Sequence, residues 1–213
     1  MNSRAVIFDM DGLLIDSERV ILECWRSVAA EQSLRLDDEL WLSMVGMHDA
    51  ACTELLIRLL GPEKAERLNI DCKDRYDLLV ERGLPLKGGA IELLEELFAR
   101  GVPLAIATST RRERALIKLA RCGIDHYFGA IATSSDVAHP KPAADIYLLA
   151  AGRLGVSPEN CTAIEDSEMG VRAANAAGMA VIQVPDLVPA SELTRSLAQV
   201  VTSLHEVRPL LRL

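Results

Sequence analysis

The hydrophobic positions of the chain follow two different spacings, and the boundary between them lies near residue 84. Between 17 and 83, apolar residues recur every three or four positions, which is typical of amphipathic helices, and no strand-like segment interrupts them. From 84 onward, short apolar runs alternate with helical segments, and an earlier run of this kind lies at 5–8. Strands that alternate with helices predict a parallel sheet with both faces covered.

Start and stop signals divide these two parts into elements. The first part is predicted to hold four helices: one over roughly 17–32, one that Asp37 or Asp38 can cap and Gly46 ends, one from Asp49 to Gly61, and one from Pro62 to Gly83. In the second part, strands are predicted at roughly 103–107, 130–132, 161–164 and 180–184, with a weaker edge strand at 200–201. Helices are predicted over roughly 89–100, 143–154, 190–197 and 203–211. The spacing of Thr110 and Glu113 fits a capping box that would begin a further helix.

The order of these elements predicts the domain organisation. Residues 1–16 and 84–213 are expected to form an α/β core, a Rossmann-like doubly wound parallel sheet, and 17–83 an inserted α-helical cap domain. The chain would cross between the two units near 13–16 and 84–88, which are therefore the expected hinges. A length of 213 residues accommodates one large and one small unit.

Composition and charge exclude several classes of protein. Half of the residues are hydrophobic and a quarter are charged, which is typical of a packed globular chain. The net charge of -8 argues against non-specific binding to nucleic acid or to an anionic membrane, and no apolar run approaches the roughly 20 residues that span a bilayer. The N-terminus leads directly into the first strand without room for a signal peptide, and the five cysteines are scattered. A cytoplasmic protein with reduced thiols is expected, and nothing in the pattern requires more than a monomer.

The first strand ends in a pair of acidic residues. Asp9 and Asp11 are two positions apart, so on an extended strand their side chains share a face and can converge on one point. Two carboxylates at the end of a buried strand repel each other unless a cation or a proton lies between them. Gly12 allows a sharp turn and the close approach of a ligand. A divalent metal, with one aspartate as nucleophile and the other as proton carrier, fits this chemistry. Aspartate and glycine are, however, also common in solvated turns.

Polar residues near other strand ends are expected to join this pair, because ligands of a doubly wound sheet bind beyond the carboxyl ends of its strands. Thr108 and Ser109 precede a predicted helix, where hydroxyl groups and free N–H groups bind anions. Lys141 lies between two prolines that restrict its backbone, and it would neutralise a phosphoryl oxygen. Glu165 and Asp166 follow an apolar strand, and their oxygen ligands would complete a magnesium site.

Four separate stretches of the chain carry these polar residues. They are Asp-Met-Asp-Gly-Leu-Leu-Ile-Asp-Ser-Glu (9–18), Ala-Thr-Ser (107–109), Lys-Pro-Ala-Ala-Asp-Ile-Tyr (141–147) and Glu-Asp-Ser-Glu-Met-Gly (165–170). Together and in this order they resemble the four motifs of the haloacid dehalogenase superfamily. The helical block directly after the first motif is similar to the cap of the beta-phosphoglucomutase-like phosphatase branch. The resemblance covers most of the chain and implies a phosphoryl-transfer enzyme.

The resemblance also implies a role for each motif residue. Asp9 would attack phosphorus and form an aspartyl-phosphate, while Asp11 would protonate the leaving oxygen and then activate the hydrolytic water. The implied ligands of Mg²⁺ are the Asp9 carboxylate, the Asp11 carbonyl oxygen and Asp166, with Glu165 in support. The implied phosphate-binding residues are Gly12, Thr108, Ser109 through its amide, and Lys141. The family further implies a cis Lys141–Pro142 peptide bond.

The expected substrate is a small phosphorylated metabolite, a sugar or polyol phosphate, with phosphoglycolate as a lesser alternative. A mutase that isomerises hexose phosphates is the closest rival activity. In the mutases that the chain resembles, a histidine of the first cap helix assists the general acid and a basic cap loop binds a second phosphate. Ile21 takes the place of that histidine here, and 45–49 contains no lysine or arginine, so hydrolysis is favoured over isomerisation.

Two residues of the predicted cap, His48 and Arg19, are candidates for contact with the substrate, although each is also typical of a solvent-exposed position. A phospho-ligand sensor without turnover is the non-enzymatic alternative. The combination of Asp9, Asp11 and Lys141 argues against a sensor, because binding alone requires neither a nucleophile nor an acid.

Overall fold

A computed structural model of the chain describes residues 4–44 and 49–211. Within this part of the chain, the core is a sheet of six parallel strands in the order β3-β2-β1-β4-β5-β6. The strands are β1 (Ala5–Phe8), β2 (Leu104–Thr108), β3 (Ala130–Thr133), β4 (Cys161–Glu165), β5 (Ala180–Gln183) and β6 (Gln199–Val200). The first strand of the chain therefore lies in the middle of the sheet, as a doubly wound topology requires. The predicted fold class is confirmed.

The two faces of the sheet differ in side-chain size. Phe8, Ile106 and Ile164 project to one face, where they form a core of large apolar side chains with α5 (Ala90–Ala99) and α6 (Arg112–Arg121). On the opposite face, Ala105 and Ala163 flank Ile7 in register. Small side chains let helices approach the sheet closely, and this second face is covered by α7 (Asp145–Leu154) and α8 (Glu168–Ala176).

Between β1 and α5, the described residues form four helices: α1 (Ser17–Glu31), α2 (Asp38–Met44), α3 (Asp49–Leu60) and α4 (Pro62–Arg82). Where they lie in the described residues, their bounds agree with those predicted, whereas the predicted end of the second helix at Gly46 lies outside them. Asp37 caps α2 by accepting a hydrogen bond from the Leu40 N–H at 2.8 Å. These helices have a hydrophobic core of their own, which includes Trp41, Leu56 and Leu68. We refer to 17–83 as the helical insert.

The two connections between the helical insert and the sheet run side by side. The Asp16 N–H donates to the Pro85 carbonyl oxygen, and the Lys87 N–H donates to the Leu14 carbonyl oxygen, each at 2.9 Å. The Lys87 ammonium group also forms ion pairs with Asp16 and with Asp186, which follows β5. The expected crossing points at 13–16 and 84–88 therefore contact each other directly.

Two sequence expectations about helices are wrong. Thr110 does not cap a helix through a capping box: α6 begins only at Arg112, whose N–H donates to the Ser135 hydroxyl at 3.1 Å, and the Thr110 hydroxyl is engaged elsewhere. The C-terminal stretch contains α9 (Glu192–Leu197) and then two short 3₁₀ turns, Leu204–Glu206 and Arg208–Leu210, instead of one helix over 203–211. Pro209 lacks the N–H that a continuous α-helix would use at this position.

In the described part of the chain, none of the helices is both long enough and apolar enough to cross a membrane.

Candidate active site

The Asp9 carboxylate lies at the carboxyl end of the central strand. The Asp9 N–H continues the sheet by donating to the Ile164 carbonyl oxygen at 3.0 Å, so the residue follows β1 without a break in pairing. Its side chain is almost fully buried, and its Oδ1 accepts a hydrogen bond from Lys141 Nζ at 2.6 Å. Lys141 precedes the predicted cis peptide bond to Pro142, which is confirmed. Lys141 thus contacts Asp9 although the two are 132 positions apart in sequence. This contact agrees with the prediction that polar residues near the strand ends come together.

Lys141 also contacts Glu165, the last residue of β4. Its Nζ lies 2.5 Å from Glu165 Oε1, and the same oxygen accepts a hydrogen bond from the Tyr147 hydroxyl at 2.5 Å. The Ser167 hydroxyl donates to the other Glu165 oxygen at 3.2 Å. Both oxygens of this fully buried carboxylate are therefore bonded within the protein. Tyr147 belongs to the third motif, yet sequence reasoning assigned it no function.

Asp9, Glu165 and Asp166, which we call the carboxylate cluster, have carboxylate oxygens that all lie within 4.8 Å of one another. Burial raises the pKa of Asp9 to about 7 despite the opposing effect of Lys141. Burial and the two neighbouring carboxylates raise the pKa of Asp166 well above its ordinary value. Three carboxylates share one ammonium group, so a divalent cation would supply the missing positive charge. Carboxylate oxygens at this spacing fit Mg²⁺. The cluster contains three of the four predicted metal-binding residues, and Asp11 is the fourth.

Two glycines make room for the carboxylate cluster because they have no Cβ atom. Gly12 has a φ of +79°, and a Cβ atom there would lie only 2.5 Å from Asp166 Oδ2. The N–H of Gly12 donates to the Ile15 carbonyl oxygen at 2.9 Å, so it is satisfied within the turn. Gly170 lies in α8, and a Cβ atom there would overlap the Glu165 carboxylate. The first and fourth motifs thus need glycine because carboxylates pass over the backbone at these points.

Asp11 lies in a different environment, although it is only two residues from Asp9. Its Oδ1 accepts a hydrogen bond from Lys118 Nζ at 2.5 Å, and its Oδ2 accepts one from the Thr110 hydroxyl at 2.6 Å. Burial acts to raise the pKa of Asp11, but the Lys118 charge and these hydrogen bonds outweigh it, so the pKa lies below its ordinary value. We call Asp11, Thr110 and Lys118 the Asp11 site. The side chain of Asp11 therefore points to this site and not into the carboxylate cluster.

Lys118 is a residue that sequence reasoning missed. It lies on the buried face of α6 beside Ala115 and Leu119, and its side chain is only 6% exposed. A lysine within the apolar spacing of a helix is unusual, because a buried ammonium group is costly unless it is paired. The position of Lys118 in the sequence therefore indicates a buried acidic partner, and the structure identifies this partner as Asp11.

The predicted anion-binding residues lie at the end of β2, next to the central strand. Thr108 is buried, and its hydroxyl oxygen accepts a hydrogen bond from the Thr110 N–H at 3.1 Å. Ser109 is exposed in the bend that follows. Both residues are adjacent to β1, in agreement with the expected position, and their contact with a phosphate remains a prediction.

The two cap candidates for substrate contact are placed differently. Arg19 is half-exposed at the start of α1, where its guanidinium group forms ion pairs with Asp186 at 3.0 Å and Asp16 at 3.3 Å. It therefore contributes to the crossing point between insert and sheet, and a role in substrate binding stays a prediction. His48 lies outside the described residues.

Comparison with known proteins supports the assignment of the motifs. The family model for haloacid dehalogenase-like hydrolases matches residues 3–178. Fructose-1-phosphate phosphatase YqaB of Escherichia coli is 32% identical over 84% of this chain and 95% of its own length. Beta-phosphoglucomutase of Bacillus subtilis is 30% identical over 85% of this chain and 83% of its own length.

A solved structure gives the same result at the level of the fold. The HAD family hydrolase of Deinococcus radiodurans R1, determined with bound phosphate and sodium, is 34% identical to this chain and superposes with a TM-score of 0.85. The match covers 98% of this chain and 95% of the other. The chain therefore belongs to the haloacid dehalogenase-like hydrolases and is an enzyme of that family.

Proposed function

We propose that the chain is a Mg²⁺-dependent phosphatase that hydrolyses the phosphate monoester of a small metabolite, a sugar or polyol phosphate, through an aspartyl-phosphate. The observation that carries this proposal is the separation of the two aspartates that end the central strand. Asp9 lies against Lys141 in a cluster that lacks positive charge, whereas Asp11 is held apart by its own lysine. Because the two carboxylates have different partners, they can take different chemical roles.

Asp9 is the proposed nucleophile. Lys141 fixes one oxygen of its carboxylate, which leaves the other oxygen to attack phosphorus. The new bond joins this oxygen to phosphorus, the bond from phosphorus to the ester oxygen breaks, and the electron pair stays on the leaving oxygen. Lys141, with Thr108 and the Ser109 amide, would bind the oxygens of the phosphoryl group.

Asp11 is the proposed acid and base. Lys118 favours the carboxylate form of Asp11, so Asp11 must take up a proton before the first step. It then donates this proton to the leaving oxygen, which departs as an alcohol. In the second step the Asp11 carboxylate removes a proton from the water that attacks the aspartyl-phosphate. Inorganic phosphate is released, and both Asp9 and Asp11 return to their initial states.

The carboxylate cluster is the proposed metal site, with Asp9 and Asp166 as side-chain ligands, the Asp11 carbonyl oxygen as a backbone ligand, and Glu165 in support. Bound Mg²⁺ would neutralise negative charge on these carboxylates and on the phosphoryl group. Glu165 already accepts hydrogen bonds from Lys141 and Tyr147, which supports an orienting role for it over direct ligation.

The helical insert, 17–83, is proposed to act as a cap domain that selects the leaving group. It enters and leaves the core through the two adjacent connections, and its own hydrophobic core lets it move as one unit. Closure over the strand ends would exclude water during the first step. The similarity to a fructose-1-phosphate phosphatase supports a sugar phosphate as the substrate class.

Phosphate release from p-nitrophenyl phosphate and from a panel of sugar and polyol phosphates, with and without Mg²⁺, tests this function. Asp9→Asn should lower the rate by roughly 10⁴-fold or more, because the nucleophile is lost. Asp38→Asn is the matched control, since Asp38 is an exposed carboxylate that lies outside the four motifs and pairs with Arg26. Full activity of Asp9→Asn, or activity in the presence of a chelator, would contradict the mechanism.

The mutase alternative is tested in the same assay, because a beta-phosphoglucomutase is among the relatives. A hexose 1-phosphate is incubated with the protein, and both free phosphate and hexose 6-phosphate are measured. Free phosphate is the expected product. Accumulation of the 6-isomer without free phosphate would replace the phosphatase with a mutase.

A further inference from the structure

We propose that Lys118 is a positioning residue, which holds the Asp11 carboxylate in place for its acid–base role and connects it to the helical insert through Tyr76. This inference rests on the proposed function and adds a residue to it. Lys118 lies in α6, outside the four motifs, and it contacts Asp11 across 107 positions of sequence.

The first argument is the cost of placing a lysine at this position. The side chain of Lys118 is 6% exposed and lies within the buried face of α6. An ammonium group in such a place is tolerated only when it is paired, and its Nζ is paired with Asp11 Oδ1 at 2.5 Å. An apolar residue could be buried at this position without a charged partner. The presence of a lysine is therefore explained by its ion pair with Asp11.

The second argument is that Asp11 is held at both oxygens. Lys118 contacts Oδ1 and the Thr110 hydroxyl contacts Oδ2, so rotation of the carboxylate about its terminal torsion breaks one or both bonds. Proton transfer requires the acid to be within hydrogen-bond distance of the leaving oxygen. The two hydrogen bonds restrict the orientations that the Asp11 carboxylate can adopt. Correct orientation of a catalytic group toward the substrate contributes much of the rate enhancement of an enzyme.

The third argument is the contact between Lys118 and the helical insert. The ring of Tyr76, in α4 of the helical insert, lies 5.4 Å from Lys118 Nζ. Arg114, one turn earlier in α6, lies 5.3 Å from the same ring and forms an ion pair with Asp77. The helical insert therefore contacts the core at the residue that holds Asp11. A movement of α4 would therefore change the surroundings of Lys118.

This arrangement has a consequence that depends on the leaving group. An alkoxide that leaves from a sugar phosphate needs a proton, whereas p-nitrophenolate is stable enough to leave without one. kcat/KM reports the steps up to departure of the leaving group. Loss of Lys118 should therefore lower kcat/KM for a sugar phosphate and leave kcat/KM for p-nitrophenyl phosphate nearly unchanged. A loss of general electrostatic attraction for phosphate would lower both equally.

The experiment compares the Lys118→Met and Lys118→Arg variants with wild type on p-nitrophenyl phosphate and on a sugar phosphate that the wild type hydrolyses. Lys118→Met should lower kcat/KM for the sugar phosphate by about 100-fold, the lower part of the range for acid–base catalysis. The change for p-nitrophenyl phosphate should stay within about threefold, and Lys118→Arg should recover part of the loss because it keeps a charged donor. Lys73→Met, which removes an exposed lysine paired with Asp77, is the matched control and should match wild type.

A double-mutant cycle shows whether Lys118 acts through Asp11. In an Asp11→Asn background, Lys118→Met should cause little further loss, because the group it positions is already absent. Thr110→Val, which removes the second bond to Asp11 without removing a charge, should show the same dependence on the leaving group and keeps the test valid if Lys118→Met folds poorly. Thermal unfolding of each variant identifies such a folding defect.

Equal losses on both substrates, or additive losses in the double variant, would overturn the role of Lys118 while wild-type phosphatase activity remains. Absence of phosphate release by the wild type with Mg²⁺ would instead overturn the proposed function, and the inference with it. The two failures are therefore distinguished by the wild-type measurement alone.

Discussion

The carboxylate cluster and the Asp11 site begin two residues apart on the same strand end, yet their charge balance is opposite. In the carboxylate cluster, Lys141 is shared among several buried carboxylates, and the pKa of Asp9 is raised to about 7. In the Asp11 site, Lys118 is bonded to Asp11 and lowers its pKa, while burial and the Asp11 charge raise the pKa of the nearby Glu18 to about 7. The first arrangement is incomplete without a cation, whereas the second is complete within the protein. One strand end thus serves two chemical tasks because different helices and loops supply the counter-charges.

The largest expected difference between the two regions is in stability. Lys141→Met should lower the free energy of unfolding by about 3–5 kcal/mol, because it leaves two buried carboxylates without their cation. Lys118→Met should cost less, about 1–3 kcal/mol, because Asp11 keeps the hydrogen bond from Thr110. Urea unfolding without divalent cations measures both, and Lys73→Met should stay within about 0.5 kcal/mol of wild type. Equal losses for the two buried lysines would contradict the comparison.

Metal binding should distinguish the two regions next. At a Mg²⁺ concentration of about 100 times Kd, the wild type should gain about 2.7 kcal/mol in unfolding free energy. Asp166→Asn should abolish this gain, because it removes an oxygen ligand from the carboxylate cluster. Asp11→Asn should retain it, because the Asp11 side chain is bonded to Thr110 and Lys118. Thermal unfolding at increasing Mg²⁺ measures the shift, and an equal loss in both variants would place the Asp11 side chain at the metal.

A smaller effect is expected where the backbone makes room for the carboxylate cluster. Gly170→Ala should lower the unfolding free energy by about 1–3 kcal/mol, because the added methyl group overlaps the Glu165 carboxylate. Gly152→Ala is the matched control: this glycine is also helical, and a Cβ atom there meets no atom within 4 Å. Alanine should be neutral or stabilising by up to about 1 kcal/mol at this control position. Urea unfolding of both variants measures the difference, and equal stability would show that the cluster tolerates the methyl group.

The smallest effect is expected at a carboxylate outside both regions. Asp136 accepts hydrogen bonds from Arg112 at 3.0 Å and from the Thr133 N–H at 2.8 Å. Burial acts to raise its pKa, but Arg112, Arg153 and Thr133 outweigh burial and lower it. A lowered pKa in the folded state stabilises the protein above the unfolded value of about 3.9, and this contribution is lost as the pH falls through the folded value.

Asp136→Asn should therefore cost about 1 kcal/mol at neutral pH, and its difference from wild type should shrink as the pH falls from about 5 to about 3. Urea unfolding of the variant and the wild type across this range measures the difference. A constant difference over the whole range would mean that the charge of Asp136 does not contribute.

Much of the fold could be predicted from the sequence, because its signals are local. The spacing of apolar residues predicted the helices of the insert and the alternation of strands and helices after residue 84, and the structure confirms both. One of the two errors occurred where a distant residue decides a local conformation. Thr110 and Glu113 have the spacing of a capping box, but the Thr110 hydroxyl bonds Asp11, which is 99 positions away.

The candidate site follows the same division. The residue types at the strand ends are readable, since Asp9, Lys141 and Asp166 follow apolar runs or prolines, and parallel strands gather their carboxyl ends at one edge. Tyr147 and Lys118 were missed because each lies within a helix, where no local pattern reports the partner of a buried polar group.

The sequence by itself determined that two aspartates end the first strand, that a glycine follows them, and that a helical insert comes next. Only the tertiary structure decided that Asp9 meets Lys141 and that Asp11 meets Lys118. The reason is physical: a carboxylate's pKa depends on burial and on charges a few ångströms away, and these come from segments more than 100 positions distant. Neighbours in sequence therefore share a position in the sheet but not an electrostatic environment.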